Sequence, residues 1–337
     1  MHCENGTPYA HEMLILNDEK GRDLLLVILK GTWKFDHDGR TSLAETQDPV
    51  ELADQYYDDP ETSSIRYASD FSFDKPATDI AMVGTAYAPE DGARYQEIQL
   101  TVGNVTKAIV AAGERTWSGA GLWFSGNPEM FASVKLQWEN AFGGKDHSSD
   151  NEKHHSLCEY NPVGKGFIAK GSKLPIRGTS LPTLIDPDAD VKAPGKCKKP
   201  GGFGFIGPSW LPRKQYAGTY DEAWQKSRMP LLPKDFDFRF FNAAHPDLIY
   251  PGYLRGGEPV EISGIWGNTT LAFALPEFSK ITIDANMEGE DPIALNAAIT
   301  TCFIDCESQK INLVMTGALR IDGSLNRLQK ILIRENS

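Results

Sequence analysis

The 31 glycines and 21 prolines of this 337-residue chain, spread along its whole length, constrain its fold more than any other feature. Proline removes a backbone donor and clashes with the preceding helical turn, and glycine is the next costliest residue to hold in a helix. A chain punctuated this often has room for short strands and turns, and for few helices. Between the breaks, apolar residues alternate with a period of two. Tyr95–Val102 places Ile98, Leu100 and Val102 on one side of a strand, and Asp23–Phe35 runs unbroken and apolar before it alternates.

Asp79–Tyr87, Val105–Ala111 and Ser133–Trp138 continue the pattern, so residues 1–142 are expected to form antiparallel sheet with one buried face. A second strand-rich part, residues 234–337, contains Val260–Ile265, Thr269–Leu275, Ile281–Asp284, Ala298–Asp305 and Ile311–Thr316. The last two are expected to pair as a hairpin through Cys306–Lys310. Residues 143–233, rich in Gly, Pro and aromatics, show neither period. Their Phe167, Phe203, Phe205, Trp210, Tyr216, Tyr220 and Trp224 demand burial, which predicts an ordered, irregular insertion packed over the sheets. One short helix fits Tyr220–Arg228, with Asp221 near its start and Pro230 as its stop. The expected fold is therefore mainly β: one domain over residues 1–337, with antiparallel sheets packed as a sandwich or distorted barrel and few short helices.

Charge narrows the partners. With 34 basic against 46 acidic side chains the formal net charge is -12, which repels phosphate backbones and excludes nucleic acid as the expected partner. The local exception, four lysines within Lys192–Lys199, reads as a solvated loop. The longest apolar run, Leu24–Leu29, is too short to cross a bilayer, and the first residues lack the pattern of a signal peptide. A cytoplasmic protein without a membrane partner is expected. Cys3, Cys158, Cys197, Cys302 and Cys306 are odd in number and scattered, which predicts no disulfide framework and fits a reducing compartment. Cys302 and Cys306 read as small buried hydrophobes.

Motif by motif, the case for catalysis is weak. Gly202-Phe203-Gly204-Phe205-Ile206-Gly207 has the spacing of a dinucleotide loop, which needs a strand before it and a helix opening after it. Pro200 precedes it and Pro208 and Pro212 follow, so that reading fails and no cofactor is expected. His147, His154, His155 and Cys158 lack the second pair of a zinc site and are read as an exposed loop, with no metal. Asp235, Asp237 and Glu258 offer carboxylates for glycoside chemistry, but Arg239 and Arg255 beside them point to structural ion pairs. No catalytic residue is assigned, and a carbohydrate-active hydrolase on a β-scaffold is kept as the alternative.

The segment Trp210–Tyr253 stands apart. It is dense in Trp, Tyr, Phe, Arg and Pro, the composition of protein–protein hot spots, although aromatics are equally drawn into cores. Trp210, Arg213, Tyr216, Tyr220, Trp224 and Arg239 are the candidates for contact with a protein partner.

At these positions the chain resembles a family of proteins of unknown function associated with bacterial type VI secretion. The resemblance rests on Lys30-Gly31-Thr32, Asp74-Lys75-Pro76, Thr78-Asp79, Gly113-Glu114-Arg115-Thr116-Trp117 and Glu139-Asn140-Ala141-Phe142-Gly143-Gly144. It continues through Asn161-Pro162-Val163-Gly164-Lys165-Gly166-Phe167 and is longest over Trp210–Tyr253, notably Pro212-Arg213, Ala217-Gly218-Thr219-Tyr220-Asp221, Trp224 and Pro233-Lys234-Asp235-Phe236-Asp237. The resemblance implies a non-enzymatic adaptor or chaperone that holds a toxic effector in the cytoplasm and helps load it onto the spike protein of the secretion apparatus. A structural component of that apparatus is a third expectation, and it would assemble with itself.

Overall fold

The computed structural model describes residues 2–118, 124–189, 195, 197–278, 280–321 and 325–335. Strands dominate, as the alternating pattern requires. One large sheet runs, neighbour by neighbour, Ile249–Tyr250, Thr78–Val83, Asn296–Asp305, Lys310–Ile321, Asp23–Phe35 and Ala10–Asn17, with Thr41–Leu43 added on Asp23–Phe35. The other runs Ser133–Lys135, Thr85–Tyr87, Pro259–Trp266, Tyr95–Val102, Val105–Ala112 and Leu184–Ile185, with Thr269–Ala274 on Pro259–Trp266. A smaller sheet joins His2–Asn5, Leu328–Glu335, Ile281–Met287 and Ile293–Ala294.

The hairpin predicted around Cys306–Lys310 is present: Asn296–Asp305 pairs antiparallel with Lys310–Ile321. Pairing is not antiparallel throughout. Thr78–Val83 lies parallel to Asn296–Asp305, with Ile80 beside Cys302, so the early and late strand-rich stretches interleave within one sheet.

The strand Asp23–Phe35 corrects the expectation of a single buried face. Leu24 through Leu29 are each fully buried, and successive residues enter different cores. Leu25, Val27 and Leu29 join the main core shared by both large sheets, which includes Ile98, Leu100, Val260, Ile262 and Leu313. Leu24, Leu26 and Ile28 point the other way and pack with Phe71, Phe73, Leu232, Phe238 and Phe241. The second face is thus roofed by Phe71, Phe73, Leu232, Phe238 and Phe241, of which only Leu232 belongs to residues 143–233, and this roof explains an apolar run where a half-solvated strand would alternate.

That roof holds itself together through aromatic contacts. Phe73 meets Phe241 at 5.2 Å and Phe236 meets Phe238 at 5.7 Å between ring centroids, within the range where edge and offset geometries are favourable. Among the described residues the α-helix is Glu222–Ser227. Asp221 caps it by accepting from the Trp224 amide at 2.8 Å, so Asp221 stands at the start as expected, and the helix is shorter than Tyr220–Arg228 at both ends.

Candidate functional site

A cavity of about 250 Å³ opens in this roof, lined by Pro76, Ala77, Ile206, Pro212, Arg213, Tyr216, Arg239, Asn242, Ala244, Pro246 and Ile249. Its walls are almost wholly apolar, and it gathers three of the six residues singled out from sequence. Arg213 Nε donates to the Phe240 carbonyl at 2.7 Å and its Nη1 to the Ile206 carbonyl at 3.0 Å, while the guanidinium sits 5.0 Å from the Phe240 ring. Burial lowers its pKa, because removing the cation from water disfavours it. Arg239 is exposed, pairs with Asp237 at 2.5 Å and covers the Tyr216 ring at 4.4 Å.

The other three candidates separate. Trp210 is buried, 6.5 Å from Trp138 in an edge-on contact, and belongs to the main core. A partner cannot reach it in this fold. Trp224 lies on the short helix and Tyr220 just ahead of its capping Asp221, their ring centroids 4.8 Å apart. Tyr220 is 53% exposed, and Met229, which sequence reasoning passed over, is 60% exposed at the end of the same segment. Trp224 is half-buried, its indole donating to the Leu231 carbonyl at 2.8 Å. Arg228 fastens the base of the segment to the Glu19 and Leu232 carbonyls. The sequence signal for Met229 was only its apolar type beside Pro230.

What positions the cavity is Asp79, in the strand Thr78–Val83. Its carboxylate accepts from Lys75 Nζ at 2.7 Å, from Asn242 Nδ2 at 2.9 Å and from the Ala243 amide at 2.8 Å. One buried group therefore ties the sheet to the loop carrying Asn242 and Ala244. A charge inside an apolar strand was its legible signal.

Nearby, Lys107 Nζ lies 2.9 Å from Asp247 and 3.5 Å from Asp186, beside His245. The carboxylates and the imidazole cluster tightly enough to hold a metal ion, but the Lys107 ammonium already supplies the compensating charge. His245 Nδ1 accepts from the Asp247 amide at 3.2 Å, which places the ring proton on Nε2. Burial, then the Lys107 charge, push the pKa of His245 down from 6.5 to about 4. Because the folded value lies below the unfolded one, stability present above pH 6.5 is lost as pH falls through about 4. Urea midpoints measured across that window should fall with pH in the native chain and fall less steeply in His245→Asn, which retains an acceptor for the Asp247 amide. Equal slopes would assign the effect to other groups.

A second, polar cavity of about 300 Å³ includes Lys30, Asp48, Glu51, Arg66, Tyr67, Asp305, Lys310 and Asn312 in its walls. Behind these walls Lys30 forms a buried ion pair with Asp70 at 3.1 Å, and the Tyr67 hydroxyl donates to Asp70 at 2.6 Å. The acids set apart for glycoside chemistry have structural duties instead. Asp235 accepts from the Thr219 hydroxyl at 2.7 Å, Asp237 binds Arg239, and Glu258 accepts from the Arg255 and Gly256 amides at 2.7 and 2.9 Å.

The glycine motif at Gly202–Gly207 serves packing. A Cβ on Gly202 would lie 2.7 Å from the Trp138 ring, and Trp138 Nε1 donates to the Phe205 carbonyl at 2.7 Å. The cysteine expectation is corrected: Cys158 and Cys197 form a disulfide, their Cα atoms 5.1 Å apart. They are 39 residues apart in sequence and joined through irregular chain, a separation that carries no spacing signal. Cys158 is consequently no partner for His147 and His155, whose rings stack at 4.6 Å. Cys302 and Cys306 are free and buried as expected. Of the lysine run, Lys192 and Lys196 lie outside the described residues.

No helix is long and apolar enough to cross a membrane among the described residues. A family model described as an uncharacterized protein conserved in bacteria matches residues 20–316. No curated protein and no solved structure matches the chain.

Proposed function

We propose, from the premise that this chain belongs to the DUF2169 family of uncharacterized proteins conserved in bacteria, that it is a non-enzymatic adaptor or chaperone for a type VI secretion effector. In this reading it holds the toxic effector in the cytoplasm and helps pass it to the spike protein. The observation that supports the reading is the exposed Tyr220 and Met229 on either side of the short capped helix that carries the half-buried Trp224, whose ring meets Tyr220. Large side chains held in place by packing bury much area at little entropic loss, which is the physics of a binding anchor.

The triple variant Tyr220→Ala, Trp224→Ala, Met229→Ala is expected to weaken effector capture about 100-fold or more, at about 1 kcal/mol or more for each anchor. Its melting temperature should stay close to the native value, since two of the three side chains are mostly in water. Calorimetric titration of the effector together with a thermal melt reads both. Unchanged affinity in a folded variant would remove this surface from the account.

The hydrolase alternative would have to use the polar cavity. There Asp48 is engaged by Lys310 at 2.6 Å and Asn312 at 3.1 Å, and Asp305 by Arg66 at 2.8 Å and by two turn amides. Paired in this way, Asp48 and Asp305 are poorly placed as acid or nucleophile, and Glu51, the third acid of these walls, accepts from the Gln55 side-chain amide at 3.1 Å.

A further inference from the structure

Arg213 is half-buried and makes no ion pair among the described residues, although the Asp54 and Asp79 carboxylates act on its charge from farther away. Among the described residues no Asp or Glu approaches its guanidinium within ion-pair distance, and the two hydrogen bonds it makes go to backbone carbonyls. Three buried lysines of this chain are each met by a carboxylate: Lys30 by Asp70, Lys75 by Asp79, and Lys107 by Asp186 and Asp247. A desolvated guanidinium left unpaired is costly, and its planar fork suits a carboxylate. Its Nη2 makes no hydrogen bond among the described residues, and it lines the apolar cavity that also receives Arg239. Those walls carry two arginines and no acid, in a chain whose net charge is -12.

The cavity therefore asks for two things at once: an apolar body to fill it, and an anionic group at Arg213. Asp and Glu side chains supply the charge on a stem of one or two methylenes, too small a body to fill the cavity. An internal Leu or Phe supplies the body without the charge. Within a protein, the two features stand two bonds apart only at the C-terminal residue, where an apolar side chain and the α-carboxylate share one Cα.

We propose that this cavity captures the C-terminal residue of a partner protein, an apolar side chain bearing a free carboxylate, with Arg213 receiving the carboxylate and Tyr216, Ile206, Ala77 and Ile249 surrounding the side chain. The inference deepens the adaptor reading and rests on it, since it supplies the client's point of attachment. Arg239, held over Tyr216 by Asp237, rims the entrance and adds positive potential there.

The test uses the whole chain and three probes: acetyl-Gly-Gly-Phe with a free C-terminus, the same peptide as its C-terminal amide, and 3-phenylpropionate. Isothermal titration should show the free-acid peptide binding and the amide binding about 10- to 100-fold more weakly, the scale of one charge-assisted hydrogen-bonded pair. Arg213→Gln should abolish the preference for the acid. Because that change also strips two carbonyls of their donor, Ala77→Leu serves as a second variant, filling the cavity while leaving Arg213 in place, and should abolish binding of both peptides. Equal affinity for acid and amide overturns the proposal, as does no binding by either peptide. Binding of 3-phenylpropionate without the peptide also overturns it, and would mark a site for small free acids. The adaptor reading fails separately: it falls if the effector is not captured at all, whereas capture that persists while peptides fail to bind removes only the C-terminal pocket.

Discussion

Replacing Asp79 by alanine lowers the free energy of unfolding by about 3–5 kcal/mol, the cost of stranding one partner of a buried ion pair. The side chain is fully buried and gathers three donors, from Lys75, Asn242 and the Ala243 amide. Removing it leaves the Lys75 ammonium, itself 6% exposed, with the Thr301 hydroxyl at 3.1 Å as its one remaining side-chain hydrogen bond among the described residues. It also frees the loop whose Asn242 and Ala244 wall the cavity, so peptide and effector binding should suffer along with stability. Asp79→Asn keeps the shape and loses the charge, and should fall between the two. Urea denaturation of the native and variant chains measures the difference directly. A loss under about 1 kcal/mol would show that Lys75 finds water or another acid, and that Asp79 does not organise this region.

Trp138→Ala should cost a similar amount, about 3–5 kcal/mol, through the cavity left by a large core side chain. Trp138 is where sheet and roof meet. Its ring lies against Gly202 and Gly204, edge-on to Trp210 and stacked at 6.3 Å with His245, and its indole holds the Phe205 carbonyl. Trp138→Phe retains most of the ring but orphans that carbonyl, at about 1 kcal/mol or somewhat more. The gap between the two variants separates packing from hydrogen bonding. If alanine were tolerated within about 1 kcal/mol, the glycines of the 202–207 stretch would need another explanation.

The two interfaces of Asp23–Phe35 show what the sequence makes legible and what it hides. Its bounds were readable to the residue, because an apolar run ending in alternation has few other fates. Its environment was not, because the residues that roof its second face come from separate distant stretches, Phe71 and Phe73 in one and Leu232, Phe238 and Phe241 in another. The same holds for the parallel pairing of Thr78–Val83 with Asn296–Asp305, which no local pattern announces. The strands Ala10–Asn17 and Leu328–Glu335 were missed altogether; each lies among short mixed runs of polar and apolar residues, with burial set by neighbours distant in sequence. Asp221 and its helix were legible, since capping is local chemistry.

For the candidate site the division is similar. Aromatic and arginine density marked the right segment, yet density does not distinguish Trp210, which is core, from Tyr220, which is exposed. Most of the cavity walls come from small or unremarkable side chains, Pro76, Ala77, Ala244 and Pro246, that only folding brings together. Several pieces of the family resemblance prove to be structural ties. Lys30 and Asp79 carry buried ion pairs, and Asn161 donates to the Trp138 and Phe142 carbonyls at 2.7 and 3.1 Å. Such residues preserve a fold, and a fold alone does not name a function.

Recovery of the client tests the proposed adaptor role at its centre. The chain and its Tyr220→Ala, Trp224→Ala, Met229→Ala variant would be used side by side as baits in the cytoplasm of the source bacterium, and the bound proteins quantified by mass spectrometry. The account predicts that a toxin-like effector, with or without the spike protein, is recovered with the native chain and lost with the folded variant. Recovery of no such protein by a well-folded native bait, or its equal recovery by both baits, would contradict it.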